Sequence, residues 1–599
     1  MGKRTYSAVA ILMCGLCGAG AAEKDAKEAP KPLAPVQAGV GRRVADVKDS
    51  AVDGKEYQLG TELKDRKALV VAVTSTSCPI SKKYLPTLAK LEKEYGEKGV
   101  GFLLLNPIAT DTAGEIAKQI GASEFRGPYF HDKTGAHTKA LGLTTTTEVF
   151  VVDPSRTVVY RGAIDDQYGL GYSLDAPKHT YLKDALDAAL AGKEPAVRAT
   201  SAPGCALDLA TAKGAAAPKV TFHNRVSRIV QQNCQECHRK GGVGPFALDT
   251  FDDLVAHKAM IRKVVEKGTM PPWFASKPAK GEHSPFVNDR ALPEADRADL
   301  LAWFAAGAPV GEKHEAPLPR TFPKDWVIGK PDAILQLENP IDIKATGVMN
   351  YQNVTIDTNL DEDKWIQAVE IRPTAKEVVH HVLVFTLPAK TGPELLPPRP
   401  RGTEASGFFA AYVPGNSAQV YPQGFGKKLQ KGARLHFQIH YTPNGIATKD
   451  QLQIAFRFAE KKPEKELKVF GLANPKIEIP AGDDNYKNTA EIRLPYDVTL
   501  TGMMPHMHVR GKACKYVAEL PDGSKKVLLD VPHYDFNWQL GYKLAEPAVL
   551  PKGTKIVYTA WFDNSDKNPA NPDPKKTVKW GPQTTDEMLL GYLEFYLTK

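Results

Sequence analysis

The sequence predicts a multidomain chain: an α/β domain, a small all-α domain and two all-β sandwiches, in that order. Three observations predict it. Residues 38–205 alternate strand and helix patterns, beginning with the β-branched run 69–73 and the helical spacing of Tyr84, Leu88, Leu91 and Tyr95. Residues 220–312 keep helical spacing, with Pro293 opening the last helix and Gly307 and Pro309 closing it. From about residue 327 the helical period gives way to short alternating runs between Pro, Gly and Asp clusters, the pattern of antiparallel sandwiches over 327–463 and 467–599.

At 599 residues the chain has room for about four such domains. Its net charge of +9 is small against 78 basic and 69 acidic side chains. No basic stripe is interleaved with aromatics, which argues against nucleic acid as a partner. Residues 1–22 read as a signal peptide: Lys3 and Arg4, a short apolar run over 7–19, then Gly20-Ala21-Ala22. That run is too short to span a bilayer, no later segment is long enough, and neither Cys14 nor Cys17 has a lipobox setting. The expectation is a periplasmic or secreted protein with no membrane span. Residues 23–38, rich in Ala, Lys and Pro, read as a tether. Five cysteines follow the signal: Cys78, Cys205, Cys234, Cys237 and Cys514, too few for a disulfide scaffold.

In the first domain the strand 69–73 leads to Cys78-Pro79 and a helix. A strand over 100–106, a helix near 113–120 and a hairpin-like pair at 149–152 and 158–160 follow. A Cys at a helix N-terminus feels the helix dipole, which lowers its pKa. This βαβ–ββ order with Cys78 at the first turn resembles the redoxin and peroxiredoxin branch of the thioredoxin fold over about 38–205. Two positions depart from the disulfide-reductase pattern: Ser81 stands where a second cysteine would be, and Thr147 where this fold usually has a cis-proline. Cys205 either resolves a sulfenic acid on Cys78, pairs with it structurally, or is an inert thiol beside it.

After an Ala-rich linker at 206–219 comes Cys234-Gln235-Glu236-Cys237-His238. C-x-x-C-H attaches one haem c through two thioethers and supplies the proximal imidazole; the alternative is a zinc or thiol pair with an incidental histidine. Thr250 and Asp253 mark a helix start, with Leu254, Ile261 and Val265 on one face and Gly268 at its end. Met270-Pro271-Pro272-Trp273 resembles the distal loop of class I cytochromes c, which implies Met270 as sixth ligand. His257 and His283 are its rivals, each expected at the surface.

The last third carries His380-His381, Gln438-x-His440-Tyr441, His506-x-His508 followed by Gly511-Lys512, and Thr585-Asp586-Glu587-Met588. In that order the four motifs resemble the copper core of the type II, ascorbate-dependent monooxygenases. The resemblance covers roughly 330–599 and implies two jelly-roll-like sandwiches with two coppers. One would be held by His380, His381 and His440, the other by His506, His508 and Met588. Adjacent residues on a flat strand face opposite ways, so His380 and His381 share a metal only at a strand end or bend; otherwise one is buried and one exposed. An H-x-H on a strand puts both imidazoles on one face, and a thioether softens such a site towards Cu(I). Met588 alone would read as a core methionine. His436 is a second-shell residue or a decoy, and Met503, Met504 and Met507 are packing.

By resemblance, the three-histidine copper passes electrons and the copper at His506, His508 and Met588 binds dioxygen and abstracts hydrogen. The reading is a copper-dependent monooxygenase fed by its own haem and an external electron donor. The alternatives are a non-catalytic copper–haem electron-transfer protein and a peroxide or thiol redox protein centred on Cys78. Met504 and Leu590 replace the arginine and asparagine of the peptide hydroxylase, though Tyr592 keeps the aromatic, and Cys514 stands alone. A peptide ending in glycine is therefore not the expected C–H substrate, and something less anionic is.

Overall fold

The computed structural model describes residues 27–46, 48–207, 219–279, 282–389 and 407–598. The signal peptide at 1–22 and most of the linker at 206–219 lie outside the described residues.

β1 (Ala68–Val73) and β2 (Val100–Asn106) are buried along their whole length, so they read as unbroken apolar runs. They pair in parallel and β3 (Tyr129–His131) extends them. β4 (Val149–Val152) and β5 (Val158–Gly162) add antiparallel strands, giving the order β3-β2-β1-β4-β5. α1 (Pro79–Gly96) starts at Cys78 with Pro in its first turn, where the missing N–H is no loss, and buries Tyr84, Leu85, Leu88 and Leu91. α2 (Ala113–Ala122) opens with a capping box between Thr112 and Glu115. The hairpin β6 (Tyr168–Gly169) and β7 (Tyr172–Ser173) and then α3 (Tyr181–Leu190) complete the expected thioredoxin-like α/β domain.

Four short helices follow: α4 (Ser227–Asn233), α5 (Phe251–Ala256), α6 (Lys258–Lys267) and α7 (Glu294–Ala305). They enclose Val226, Leu254, Leu300 and Trp303. The single helix expected from Thr250 to Gly268 is two, broken at His257, whose backbone leaves the helical region.

The rest of the chain is mostly β-sheet. Its first half contains β8 (Gln352–Asp357), β9 (Lys364–Arg372), β10 (Val379–Leu387), β11 (Phe408–Tyr412), β12 (Arg434–Tyr441) and β13 (Gln453–Phe458). The sheet β8-β12-β10-β11 shares one core with the sheet built on β9 and β13. The second half has β14 (Lys468–Ala473), β15 (Tyr486–Arg493), β16 (Val498–His506) and β17 (Gly511–Glu519), then β18 (Lys525–Val531), β19 (Tyr542–Leu550), β20 (Lys555–Phe562) and β21 (Leu590–Leu597). Its sheets run β14-β21-β16-β19 and β15-β20-β17-β18 around a second core.

The halves meet where Phe408 stacks on Tyr592 at 4.3 Å and Lys427 pairs with Glu594 at 3.0 Å. The α/β domain is docked on both. Gly445, at φ 98°, lies so close to α1 that a Cβ there would sit 1.8 Å from the Lys82 carbonyl. Asn537 donates to the Gly171 carbonyl at 3.0 Å, and Tyr172 and Leu174 pack with Ala570.

Candidate functional site

The first cluster is a dithiol. Cys78 caps α1, and Cys205 returns from the domain's end to lie beside it; both are free thiols in the buried core. Burial pushes the Cys78 thiol up, but hydrogen bonds from Cys205 and from the Ser81 and Thr146 hydroxyls outweigh it and bring the pKa down to about 5. Cys205, as donor and as a buried group, is held well above the ordinary thiol range. The anchoring residue is Thr146 and not the neighbouring Thr147. Its hydroxyl accepts from the Cys205 N–H at 3.0 Å and its N–H donates to the Cys205 carbonyl at 3.0 Å. Asp111, another residue the sequence does not flag, accepts from Ser75 and from the Thr76 N–H and fixes the loop before Cys78. Met260 of α6 packs over this core, and Cys78 is left 1% exposed.

The second cluster is histidine. Register between β10 and β12 slips between Val379 and His381, and His381 then pairs with His440. This bulge at the strand's start is the bend that adjacent histidines need. The Nδ1 atoms of His380 and His381 are 2.9 Å apart, and one ring nitrogen from each of His380, His381 and His440 lies within 4.8 Å of the others. His436 is elsewhere, bonded to the Thr355 hydroxyl at 2.9 Å.

His506 ends β16 opposite Leu590 of β21. His508 lies beyond the strand, in a turn closed by the Gly511 N–H on its carbonyl, so the H-x-H pair straddles a strand end instead of lining one face. The His506 Nδ1 is 2.9 Å from the Gln539 side-chain oxygen, and the His508 Nδ1 is 3.2 Å from the Asp586 carbonyl. Glu587 is the clamp. It accepts from the N–H groups of His508 (2.8 Å), Arg510 (2.7 Å) and Met588 (3.1 Å), and burial, against the pull of Arg510, raises its pKa to about 7. Met588 is buried just before β21. Met503 and Met507 belong to the surrounding core, and Met504 packs between the halves against Phe385.

The two sets, expected in separate sandwiches, converge where the halves meet. The rings of His381 and His506 are 6.1 Å apart. Phe536 stacks on His380 at 4.8 Å and flanks His440 and His508. Tyr351 touches His381, His440 and His508, and the Thr584 hydroxyl is 3.4 Å from the His440 Nε2. Burial holds all five imidazoles neutral, with His380 and His506 down at about 4 and His381, His440 and His508 well below the ordinary histidine range. Neutral imidazoles have lone pairs to give. The Nε2 atoms of His380, His381 and His508 and the Nδ1 of His440 are buried without a hydrogen-bond partner. Such a donor set fits copper. Gln539, Phe536 and Tyr351 carry no sequence signal, being set by loops far along the chain; Glu587 sits inside a quoted motif.

The third cluster is the Cys234–His238 turn. The His238 Nδ1 is 3.2 Å from the Phe246 carbonyl, which turns Nε2 outward as a proximal ligand requires. Cys234 and Cys237 are partly exposed free thiols, so the turn fits thioether attachment of haem. His257 is not a surface residue as expected. It is 3% exposed, stacks on Phe246 at 3.9 Å, and has an unpartnered Nδ1. His283 is exposed, and Met270 lines a cleft shared with the second β half. Gly415 crowds the turn: a Cβ there would lie 2.6 Å from the Cys237 sulfur. Cys514 is buried in β17 beside Tyr558.

Residues 39–169 match the redoxin family. The chain resembles the chloroplastic thioredoxin-like protein AAED1 of Arabidopsis thaliana, 28% identical over 154 residues, or 25% of this chain and 58% of that protein. It thus spans a little over half the length of that curated relative. Among solved structures, the hypothetical protein SMc02350 of Sinorhizobium meliloti 1021 is 26% identical, covering 31% of this chain and 99% of that one, with a TM-score of 0.27. Peroxidoxin BcpB of Mycobacterium tuberculosis is 22% identical, covering 26% and 94%, with a TM-score of 0.20. The matched redoxin region ends before Cys205, so the second thiol comes from this chain's continuation.

Proposed function

We propose that the redoxin domain is one module of an exported copper–haem oxidoreductase, whose two jelly-roll-like halves form a copper-dependent monooxygenase. The observation that carries the reading is the set of four buried, unpartnered imidazole nitrogens on His380, His381, His440 and His508. Leaving a polar group buried and unpaired costs about 1–3 kcal/mol. Four together make a purely structural role costly, and a metal removes the cost at once. Copper held there would supply dioxygen activation, inserting one oxygen atom into a C–H bond at the expense of two electrons from a donor.

The chain's own groups prepare that chemistry. Gln539 and the Asp586 carbonyl accept from the Nδ1–H groups of His506 and His508, which aims both Nε2 lone pairs inward. Glu587 ties the turn of His508 to the segment carrying Met588. Phe536 and Tyr351 keep water from the rings. Haem on Cys234, Cys237 and His238 would pass electrons from an external donor, and the contact of Gly415 with Cys237 makes the route to the first β half short. His257, by its burial and free Nδ1, joins Met270 as a sixth-ligand candidate.

Elemental analysis of full-length protein matured with haem and loaded with Cu(II) tests the reading. It expects about two coppers per haem iron, falling to about one in a Met588→Ala, His508→Ala double variant; a ratio near zero overturns it. A second reading, thiol redox catalysis at Cys78, is favoured by its low thiol pKa and the adjacent Cys205. In that case Cys78→Ser abolishes function and His508→Ala leaves it intact.

A further inference from the structure

A cavity of about 220 Å³ opens where the redoxin domain meets both β halves. His380 and His440 form part of its wall, and Phe536 and Val379 give it an apolar side. Lys83 of α1 reaches the same cavity from the redoxin domain. Among the described residues its ammonium group has no carboxylate or hydrogen-bond partner; it lies 5.5 Å from the Tyr168 ring and within electrostatic reach of His380. Glu377, the acidic residue on the rim, is exposed and forms no ion pair with Lys83. Lys27, the other cation on the wall, is engaged by the Val509 carbonyl at 2.8 Å and Asn568 at 3.3 Å.

The backbone around Lys83 is held against both β halves. Gly445 abuts the backbone of Lys82, Asn537 holds the β6–β7 hairpin, and the Val348 N–H donates to Asp175 at 3.2 Å. Burial pushes the Lys83 ammonium down to about 8, still charged at neutral pH. An ammonium half removed from water with no counter-charge is a costly arrangement in a finished interior, and a natural one in a binding site.

We propose that this cavity binds a small organic anion, its carboxylate paired with Lys83 and its carbon skeleton against Phe536 beside His380 and His440. The selecting charge then comes from a different domain than the histidines. An anionic ligand departs from the expectation, drawn from Met504 and Leu590, of a less anionic substrate. The binding itself does not depend on copper.

Calorimetric titration of the full chain, stripped of metal with EDTA at pH 7, tests it with acetate, benzoate and succinate, and with benzamide as the neutral counterpart of benzoate. At least one carboxylate should saturate in the millimolar range or below, with Lys83→Met weakening it about tenfold or more and Lys83→Arg largely restoring it. Unchanged thermal unfolding in Lys83→Met shows that the loss is local. Equal carboxylate affinity in wild type and Lys83→Met, or no saturable binding by any of the three, overturns the proposal. Because no metal is present, a failed copper reading and a failed anion site give separate results.

Discussion

The dithiol and the histidine cluster are both buried and both covered by a neighbouring domain, yet they differ in who supplies the polar partners. At Cys78 the chain supplies the sulfur's partners: Cys205, Ser81 and Thr146 bond to it, and Met260 packs against the same core. At the histidines the chain supplies one side only. Gln539 and Asp586 take the Nδ1 atoms of His506 and His508, while four other ring nitrogens are buried without a hydrogen-bond partner. Buried polar groups in folded proteins are nearly always paired. On the proposed reading, this cluster of exceptions at a domain junction is where a metal would bind. A satisfied cluster of equal burial is complete as it stands.

That contrast can be broken at several points. The largest effect is expected in a His381→Ala, His440→Ala double variant: equilibrium dialysis should show the three-histidine copper gone, with affinity down more than about 100-fold, while the titration of Cys78 is untouched. Gly445→Val should cost about 2–4 kcal/mol, because its Cβ meets the Lys82 carbonyl at 1.8 Å and φ is 98°. Urea unfolding reads the cost, and limited proteolysis should release the redoxin domain first. Glu587→Gln removes the charge that holds three N–H groups and should weaken copper at His506, His508 and Met588 about 10–100-fold.

The smallest effect sharpens the other side. Thiolate absorbance at 240 nm should titrate near pH 5 in the wild type and move up by more than about one pH unit in Cys205→Ala, where the strongest donor is lost. Because the folded thiol lies below its unfolded value, the thiolate's stabilisation is fully present above the unfolded pKa. It is lost as pH falls through about 5. A Cys205→Ala protein that still titrates near 5 would mean that the dipole of α1, and not the second thiol, sets the chemistry.

Local pattern carried the elements well. The unbroken apolar runs of β1 and β2, the Thr250–Asp253 cap and the alternating runs that became β9, β10, β12 and β20 were all legible, since short-range sterics and burial decide them. Contacts across domains were not. Nothing in the spacing of His381 and His506 indicates that their rings lie 6.1 Å apart, because the docking of the halves decides it through Phe408, Tyr592, Lys427 and Glu594. His257, expected at the surface, lies three residues after Leu254 and four before Ile261, on the side of the chain that those residues bury, and it is buried with them. Lys83 carries no sequence signal, and only the neighbouring halves make it part of a cavity wall.

On the proposed reading the unpartnered histidines, and not the dithiol, hold the metal. Anomalous diffraction at the copper edge, on crystals of the full chain grown with Cu(II), measures this directly. The account predicts one peak among His380, His381 and His440, a second beside His506, His508 and Met588, and none at Cys78 and Cys205. Histidines without density, or a copper peak at the dithiol, would contradict it.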